Sequence, residues 1–344
     1  MANSSQLAIA VRDVDLCYLC QTRGHDLPGT FRDRLFDVPG EWRLRRCSRC
    51  GLIWLNPQPL PEDIPKLYAS YYTHQDPGGE SGSRLDLLTQ KIAQAILAER
   101  FGYGEKSDWP VWLVRLLGSI PLWRDEAGYQ VAWQARGKKR LLDIGSGGGG
   151  FLRRMRDYGW EAVGVEPDPV AAERARKLHG LEVHATTLEQ ADLPPQSFDL
   201  ITFYHVLEHL PDPIATLRRA RELLRPGGQL VALTPNQGSL GYRRFGPAWV
   251  SLDPPRHLYG YSVGHLKQIA RQAGFQKACV HSISSREVGR YNYLASKQTA
   301  STGRWSGDLL VSSQQLRMSG LFWFISASLA LLGWGEELLL LAQN

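Results

Sequence analysis

From Arg140 onward, short apolar runs alternate with amphipathic helical stretches. The runs "LLDIG", "EAVGVE", "FDLITFY" and "QLVALT" are followed later by "FQKACVHSIS" and "EELLLLAQ". Apolar strands that are buried on both faces and separated by helices predict a parallel α/β sheet. We therefore predict an α/β domain over residues 139–344, with an irregular lid at about 236–262 and a second insertion at about 285–335 before the last strand.

The chain before residue 139 shows two other patterns. Residues 1–60 read as a small module that ends in the proline-rich stretch "NPQPLP", and residues 61–138 read as a helical lid or linker region. Near the C-terminus, "LFWFISASLALLGWG" is apolar for about fifteen residues, short of the ~20 that a membrane-spanning helix needs. We predict a buried helix there, with attachment to a membrane surface as the alternative.

A glycine-rich segment, "LLDIGSGGGGFL", places Gly145, Gly147 and Gly149 in the turn between the first predicted strand and its helix. Glycines allow a tight turn and let a ligand approach the backbone. Glu166 follows at the tip of the next strand, where an acidic side chain can accept hydrogen bonds from both hydroxyls of a ribose. Asp143, two positions before the first glycine, would repel a pyrophosphate but suits a cationic amino group. The pattern therefore favours a ribose-containing ligand without phosphates.

These segments resemble the ordered motifs of class I S-adenosylmethionine-dependent methyltransferases. "LDIGSGGGG" is similar to the first motif and "VEPDP" to the second, while "ATTLEQADLPPQSFDLITFYHVLEHLPDP" and "LLRPGGQLVALTPN" are similar to the third to fifth. The resemblance implies a Rossmann-like, seven-stranded methyltransferase sheet with S-adenosyl-L-methionine as the cofactor. It implies these cofactor-binding residues: Asp143, Gly145, Ser146, Gly147, Gly149, Glu166, Pro167, Thr187, Leu188, Tyr204 and His205.

Four cysteines form two pairs, Cys17 with Cys20 and Cys47 with Cys50. Two residues between partners let both sulfurs face one ion, and two pairs complete the tetrahedral shell that Zn²⁺ accepts. We therefore predict a structural zinc ion in an N-terminal, zinc-ribbon-like module. Thiol ligands suit a reducing compartment, and the N-terminus lacks the pattern of a signal peptide, so we expect a cytoplasmic protein. Cys279 lies in an apolar strand and is predicted to be a core residue.

The front of the chain resembles a branch of the methyltransferase superfamily in which a four-cysteine zinc module precedes a "P-x-P" and a "LYxxYY" segment. The corresponding stretch here is "LNPQPLPEDIPKLYASYYTH". Members of this branch accompany sugar, polysaccharide or secondary-metabolite pathways. The resemblance makes Tyr68, Tyr71 and Tyr72 candidates for a lid over the cofactor, and packing in the core is the alternative.

The stretch "YHVLEHLPDP" holds the His-x-x-Glu-His arrangement of one class of zinc peptidases. Such a peptidase needs a sustained helix, whereas Pro211 and Asp212-Pro213 limit any helix here to about one turn. The segment instead follows a buried strand. We therefore expect His205, Glu208 and His209 at the edge of the sheet where cofactor and acceptor meet.

Two histidines are candidates for the catalytic residue. His257, in "FGPAWVSLDPPRHLYGYS", is the first choice for the general base or for a residue that orients the acceptor, and His209 is the second. Structural packing is the alternative for either. Certain 2′-O-methyltransferases of small RNAs hold a divalent ion with a similar order of residues, so a second metal near His205, Glu208, His209 and His257 is a further alternative. A histidine at position 205, in place of a glutamate, weakens such a site for a hard cation.

The sequence thus predicts a methyltransferase that acts on a small molecule. Oxygen is the predicted acceptor atom, because "NPPY", the tetrapeptide of amine-methylating enzymes, is absent after the fourth strand. By resemblance, a hydroxyl of a sugar or glycoconjugate is the first choice. The alternatives are a ubiquinone-type phenol O-methyltransferase, an RNA methyltransferase, and a non-enzymatic assembly or membrane-surface protein. The formal charge of +6 is spread along the chain, which argues against nucleic acid as a partner.

Overall fold

The computed structural model describes residues 9–68, 84–135, 139–305 and 312–344. Its strands are β1 (Val11–Arg12), β2 (Gly24–Asp26), β3 (Arg43–Cys47), β4 (Ile53–Asn56), β5 (Gln58–Pro59), β6 (Arg140–Ile144), β7 (Glu161–Val165), β8 (Glu182–His184), β9 (Phe198–Tyr204), β10 (Leu224–Pro235), β11 (Tyr259–Gly260), β12 (Lys277–Ile283) and β13 (Glu337–Gln343).

The α-helices are α1 (Arg84–Ile96), α2 (Val111–Ser119), α3 (Pro121–Tyr129), α4 (Gly150–Asp157), α5 (Pro169–His179), α6 (Pro213–Leu223), α7 (Leu240–Phe245), α8 (Val263–Gln272), α9 (Arg286–Thr302) and α10 (Ser313–Ser328). A short π-helix (Leu97–Phe101) continues α1. Short 3₁₀ helices lie at Pro61–Tyr68, Leu207–His209, Gly246–Ala248, Val250–Leu252 and Ala330–Leu332.

A seven-stranded sheet forms the centre of the described fold, in the order β12-β13-β10-β9-β6-β7-β8. β10, β9, β6, β7 and β8 are parallel, whereas β13 runs antiparallel between β10 and β12. The predicted Rossmann-like methyltransferase sheet is confirmed. Its seventh strand, β8, spans only three residues and produces no apolar run in the sequence. The strand order reverses between β6 and β9, where such sheets bind their ligands at the carboxyl ends of the strands.

The N-terminal module shares its sheet with the predicted lid. β11, which belongs to the lid, pairs antiparallel with β4 through Tyr259 and Gly260, and the order of this sheet is β11-β4-β3-β2. The amide of Leu55 donates to the carbonyl of Leu258 at 3.0 Å. The module is thus fixed by backbone hydrogen bonds to the loop that precedes α8.

A buried carboxylate ties the lid to the second insertion. Glu336, just before β13, accepts hydrogen bonds from the amide of Gly241 at 2.8 Å and from Asn292 Nδ2 at 2.9 Å. Burial raises the pKa of Glu336 to about 7, although these hydrogen bonds lower it. The lid is therefore fixed from both sides, by the N-terminal module and by α9.

The helix α10 departs from the prediction of a buried helix. Phe322 and Trp323 are buried, but Leu321 and Phe324, on the opposite face, are 51% and 53% exposed. The reason is that α10 lies at the surface and packs on α9 with one face only. Within the described residues, no helix has both the length and the apolar character needed to cross a membrane.

The expectation that Cys279 is a core residue is wrong. Cys279 lies on β12, at the edge of the central sheet, and its side chain is exposed. Alternate side chains of a strand point to opposite faces, and the outer face of this edge strand is in contact with solvent at Cys279.

Candidate active site

The glycine loop follows β6 and lies against the segment after β9. Gly145, Gly147 and Gly149 have φ angles of +67°, +52° and +81°, which residues with a Cβ rarely adopt. A Cβ at Gly145 would also lie 2.6 Å from Val206 Cγ2. Because the loop and Val206 are in contact, the segments predicted for cofactor and acceptor lie side by side.

Glu166, directly after β7, closes the loop from the other side. Its Oε2 accepts a hydrogen bond from the amide of Gly147 at 2.7 Å, and its Oε1 accepts one from the amide of Asp168 at 2.9 Å. Both bonds orient the carboxylate at the mouth of the glycine loop, which is a suitable position for binding the hydroxyls of a ribose.

Asp143 is buried at the end of β6, beneath the loop. Thr202 Oγ1 donates to Asp143 Oδ1 at 2.6 Å. Burial raises the pKa of Asp143 to about 7, although the bond from Thr202 lowers it. Ser146 Oγ is also buried and has no hydrogen-bond partner among the described residues. A buried carboxylate and an unpaired hydroxyl are groups that the amino-acid end of S-adenosylmethionine would satisfy, so the residues present fit this cofactor.

Three further predicted cofactor residues lie near the same edge of the sheet. Pro167 is exposed, directly after the carboxylate at the end of β7. Thr187 and Leu188 lie in the loop after β8, where Leu188 is buried and the carbonyl of Thr187 accepts from the amide of Ala191 at 3.0 Å. These positions suit contacts with a nucleoside, and their part in binding stays a prediction.

Tyr204 and His205, at the end of β9, have different neighbours. The Tyr204 ring packs on Phe151, in the first turn of α4, at 4.7 Å between ring centres. His205 has a φ of +54° and forms ion pairs with Glu208 (Nδ1 to Oε1, 3.5 Å) and Glu337 (Nε2 to Oε1, 3.1 Å). Burial by itself lowers the pKa of His205. The two carboxylates have the larger effect and raise this pKa above its ordinary value, to about 10. His205 is therefore a cation at neutral pH.

A cluster of three residues, Glu208, His209 and His257, stands beside this pair. One nitrogen or carboxylate oxygen of each lies within 4.8 Å of the others. Glu208 is only 1% exposed; burial raises its pKa, but the neighbouring histidines, His205 foremost, lower it to about 2. Burial and then His257 lower the pKa of His209 to about 4. Near neutral pH the cluster thus holds an ionised carboxylate and a neutral His209.

Hydrogen bonds to backbone carbonyls orient the imidazoles of His257 and His209. His257 Nδ1 lies 2.8 Å from the carbonyl oxygen of Ser251, and His209 Nδ1 lies 3.1 Å from that of Arg256. A carbonyl oxygen can only accept, so Nδ1 carries the proton in each ring. Because His209 is neutral near pH 7, its Nε2 is unprotonated and available as an acceptor.

Of the predicted lid tyrosines, Tyr68 lies against this cluster. Its hydroxyl is 2.8 Å from His209 Nδ1, and the two rings meet edge to face at 5.9 Å. Tyr71 and Tyr72 lie outside the described residues.

A buried network of hydrogen bonds lies next to His257, and the sequence predicts only part of it. The guanidinium of Arg256 donates to Asp253 at 2.9 and 2.6 Å and to Asp33 at 2.8 and 2.7 Å. Asp253 and Arg256 are close to His257 in the sequence, but Asp33 belongs to the N-terminal module, 223 positions away. The pattern of neighbouring residues in a sequence does not indicate a contact between residues so far apart.

The four cysteines converge in the N-terminal module. The Sγ–Sγ distances are 3.6 Å for Cys17 and Cys50, 3.4 Å for Cys20 and Cys47, and 3.8 Å for Cys20 and Cys50. Tetrahedral zinc with Zn–S bonds of about 2.3 Å places its sulfur ligands about 3.8 Å apart. The amides of Arg49 and Cys50 also lie 3.4 Å from Cys47 Sγ. The arrangement fits one zinc ion.

Comparisons with known proteins support the methyltransferase domain. A family model described as "Methyltransferase domain" matches residues 121–280. A curated "Ubiquinone biosynthesis O-methyltransferase" from Saccharophagus degradans is 32% identical over 176 residues, which cover 47% of this chain and 74% of the relative. A protein of the same name from Aliivibrio fischeri is 32% identical over 113 residues, which cover 30% of this chain and 47%, about half, of the relative.

Among solved structures, phosphoethanolamine N-methyltransferase 2 from Haemonchus contortus, in complex with S-adenosyl-L-methionine, is 18% identical, with a TM-score of 0.45. The match covers 85% of this chain and 63% of that one.

Proposed function

Because this chain belongs to the family of S-adenosylmethionine-dependent methyltransferases, we propose that it methylates the hydroxyl oxygen of a phenolic small molecule. The enzyme class is the one predicted from the sequence, and the non-enzymatic alternative is set aside. The sugar hydroxyl, first choice by resemblance of the N-terminal module, finds no support in the relatives. Their shared name, "Ubiquinone biosynthesis O-methyltransferase", instead supports the phenol, an alternative in the sequence analysis.

One observation carries the proposal: the cluster of Glu208, His209 and His257 lies next to the glycine loop, through the contact between Val206 and Gly145. When bound, S-adenosylmethionine supplies a methyl group on a sulfonium. The chain must then hold the acceptor oxygen in line with that methyl group and help to remove its proton. An ionised carboxylate and two imidazoles that are oriented by backbone carbonyls meet both requirements at this place.

The low basicity of Glu208 and His209 favours a phenol over a sugar. Because the pKa of His209 is lowered to about 4 and that of Glu208 to about 2, both groups are weak bases. A phenolic hydroxyl, with a pKa of about 10, loses its proton far more readily than an aliphatic alcohol does. Weak proton acceptors therefore match the more acidic hydroxyl.

We further propose that Cys17, Cys20, Cys47 and Cys50 hold a structural zinc ion. Four thiolates leave no open coordination position, so the ion would stabilise the module without taking part in the chemistry. Its effect on the active site would pass through the pairing of β4 with β11 and through Asp33.

The test is a transfer assay with cofactor labelled in its methyl group, a panel of phenols and a panel of sugars, and product identification by mass spectrometry. We expect O-methylated phenols only. In His257→Ala, the affinity for the cofactor should stay within about twofold while kcat falls at least about 100-fold. His281→Ala, on the exposed face of β12, is the matched control.

Methylation of sugars alone would overturn the phenol assignment. Lack of cofactor binding, or a His257→Ala variant with full turnover, would overturn the catalytic account.

A further inference from the structure

The backbone carbonyl of Ser251 holds the ring of His257. His257 Nδ1 lies 2.8 Å from this oxygen, and Nε2, on the other side of the ring, lies 4.0 Å from Glu208 Oε1. The hydrogen bond that one ring nitrogen of a histidine makes determines how the other nitrogen is presented. The direction in which His257 Nε2 faces therefore depends on where the carbonyl of Ser251 lies.

Two side chains of α9 hold the backbone around Ser251. This serine lies in a 3₁₀ helix of three residues, a type of element whose own hydrogen bonds have poor geometry. The amide of Val250 donates to Ser296 Oγ at 2.9 Å, and Ser251 Oγ donates to Asn292 Oδ1 at 3.0 Å. Ser296 and Asn292 are both buried. A helix of the second insertion thus fixes the turn that orients the histidine.

The buried carboxylate of Glu336 determines how the amide of Asn292 is turned. Asn292 Nδ2 donates to Glu336 Oε2 at 2.9 Å. Because a carboxylate accepts hydrogen bonds, the amide nitrogen faces Glu336 and the amide oxygen faces Ser251. The same carboxylate accepts from Trp249 Nε1 at 3.4 Å and from the amide of Gly241 at 2.8 Å, which both belong to the lid. Glu336 therefore anchors Asn292 and the lid together.

We infer that Asn292 is a positioning residue for methyl transfer, which sets the orientation of His257 through Ser251 and is itself held by Glu336. Contacts of 2.9, 3.0 and 2.8 Å join these four residues in one chain. A catalytic base is commonly oriented by a further group behind it. The inference rests on the proposed function, in which His257 serves the acceptor. Because a misplacement of about 1 Å can cost about 100-fold in rate, a side chain remote from the acceptor can affect turnover.

A purely structural role for Asn292 would have a different signature. Removing a buried hydrogen bond destabilises a protein whatever the bond positions. A positioning residue, however, affects turnover only while the group that it positions is present. The effect of an Asn292 substitution on kcat should therefore disappear when the ring of His257 is absent, whereas the effect of a damaged fold should persist.

The test is a double-mutant cycle in the full chain, measured with the labelled cofactor and the panel of phenols. Asn292→Leu keeps the approximate volume of the side chain and removes both hydrogen bonds. We expect it to lower kcat at least about tenfold in the unmodified protein and less than about twofold in His257→Ala. Cofactor affinity and KM should change much less than kcat. If sugars alone are methylated, the same cycle is measured with the sugar.

Ser251 gives a second test that does not require a substitution on α9. Ser251→Ala removes the hydroxyl and keeps the backbone carbonyl, so kcat should fall about three- to tenfold. Ser251→Thr keeps a hydroxyl and should retain kcat. This pair carries the test if Asn292→Leu does not fold.

Thr299→Val is the matched control on α9. Thr299 is 3% exposed, and its hydroxyl has no hydrogen-bond partner among the described residues. Its replacement should leave kcat within about twofold of the unmodified protein.

A readout that needs no turnover is the proton on His257 Nδ1. In protein labelled with ¹⁵N-histidine, the NMR signal that disappears in His257→Ala belongs to this ring. Its Nδ1 proton should exchange with water at least about tenfold faster in Asn292→Leu than in the unmodified protein, because the carbonyl of Ser251 is no longer held.

The outcomes separate this inference from the proposed function. If Asn292→Leu kept full kcat, or lowered kcat equally with and without the ring of His257, Asn292 would not position this histidine, and the proposed function would stand. If His257→Ala kept full turnover, the catalytic account in the proposed function would fall. Unchanged exchange of the Nδ1 proton in Asn292→Leu would then also overturn the inference, whereas faster exchange would support the orienting role of Asn292.

Discussion

Arg256 and Asp33 form a fully buried ion pair with two hydrogen bonds, at 2.8 and 2.7 Å, across the junction between the lid and the N-terminal module. Neither side chain is exposed. Because His257 follows Arg256 directly and its amide donates to the carbonyl of Asp253, the position of this histidine depends on a contact that the module supplies.

We predict that Asp33→Ala lowers the free energy of unfolding by about 3 kcal/mol, because removing one partner of a buried ion pair leaves the other charge poorly compensated. The expected loss lies at the lower end of the usual range, since Asp253 still binds Arg256. Urea unfolding measures the change. The control is Asp15→Ala: Asp15 pairs with Arg45, is 63% exposed, and should cost at most about 1 kcal/mol. If both variants lost the same free energy of unfolding, burial would not explain the contribution of the Arg256–Asp33 pair.

Zinc at the cysteines should be required for turnover but not for cofactor binding. We predict that Cys47→Ser abolishes zinc retention and lowers methyl transfer at least about tenfold, because the module supports the lid through β4 and also contacts α8, directly after the lid, through the 2.9 Å contact of His265 with the carbonyl of Cys50. Elemental analysis and the transfer assay measure the two effects.

In the same variant, cofactor affinity should change less than about threefold, since the glycine loop lies on the central sheet. Cys279→Ser, which changes an exposed cysteine on β12, should retain both zinc and activity. Full turnover of a zinc-free Cys47→Ser protein would show that the lid does not need the module.

Cofactor affinity should rise with pH through the pKa of Asp143. This carboxyl has a pKa of about 7, and its ionised form is the one that attracts the cationic amino group. Below pH 7, each unit of acidification should weaken binding by up to about tenfold. Calorimetry between about pH 5.5 and 8 measures this slope. In Asp143→Asn, which keeps an acceptor for the hydroxyl of Thr202, affinity should be low and nearly independent of pH. A flat profile for the unmodified protein would exclude Asp143 from cofactor binding.

The raised pKa of Asp143 also makes the free energy of unfolding depend on pH in a defined direction. The folded pKa of Asp143 lies above the ordinary value near 3.8, so the folded protein holds this proton more tightly than the unfolded chain does. Asp143 therefore lowers the free energy of unfolding as the pH rises from about 4 to 7, and its effect is constant above that. Asp143→Asn should remove this dependence, so the variant should gain stability relative to the unmodified protein at pH 8 while losing affinity for the cofactor.

The parts of the fold that could be predicted from the sequence are those fixed by local pattern. The glycine loop, Glu166 and the cysteine pairs are each defined by neighbours within about twenty positions, and their conformations follow from φ freedom and ligand spacing. The short turn after β9 was also predictable, because Pro211 and Asp212 prevent a longer helix.

Long-range contacts account for what the sequence did not reveal. β11 joins the sheet of the N-terminal module across about two hundred positions, and Glu337 reaches His205 only because β13 runs antiparallel and begins at the edge where β9 ends. The sequence does not predict the exposed face of α10, for a related reason. Apolar residues occur all around this helix, so composition alone cannot tell which face is covered.

Tyr68 should act by orienting His209. Its hydroxyl, 2.8 Å from His209 Nδ1, shares that N–H with the carbonyl of Arg256, and Tyr68→Phe removes this contact while keeping the ring. We predict a fall in kcat of about three- to tenfold, with unchanged cofactor affinity and a loss of about 1 kcal/mol in the free energy of unfolding. Steady-state kinetics and urea unfolding measure these effects. Tyr158→Phe, at the C-terminal end of α4, is the matched control. If Tyr68 only packed against His209, the phenylalanine variant would keep its kcat, because the edge-to-face contact of the rings survives the substitution.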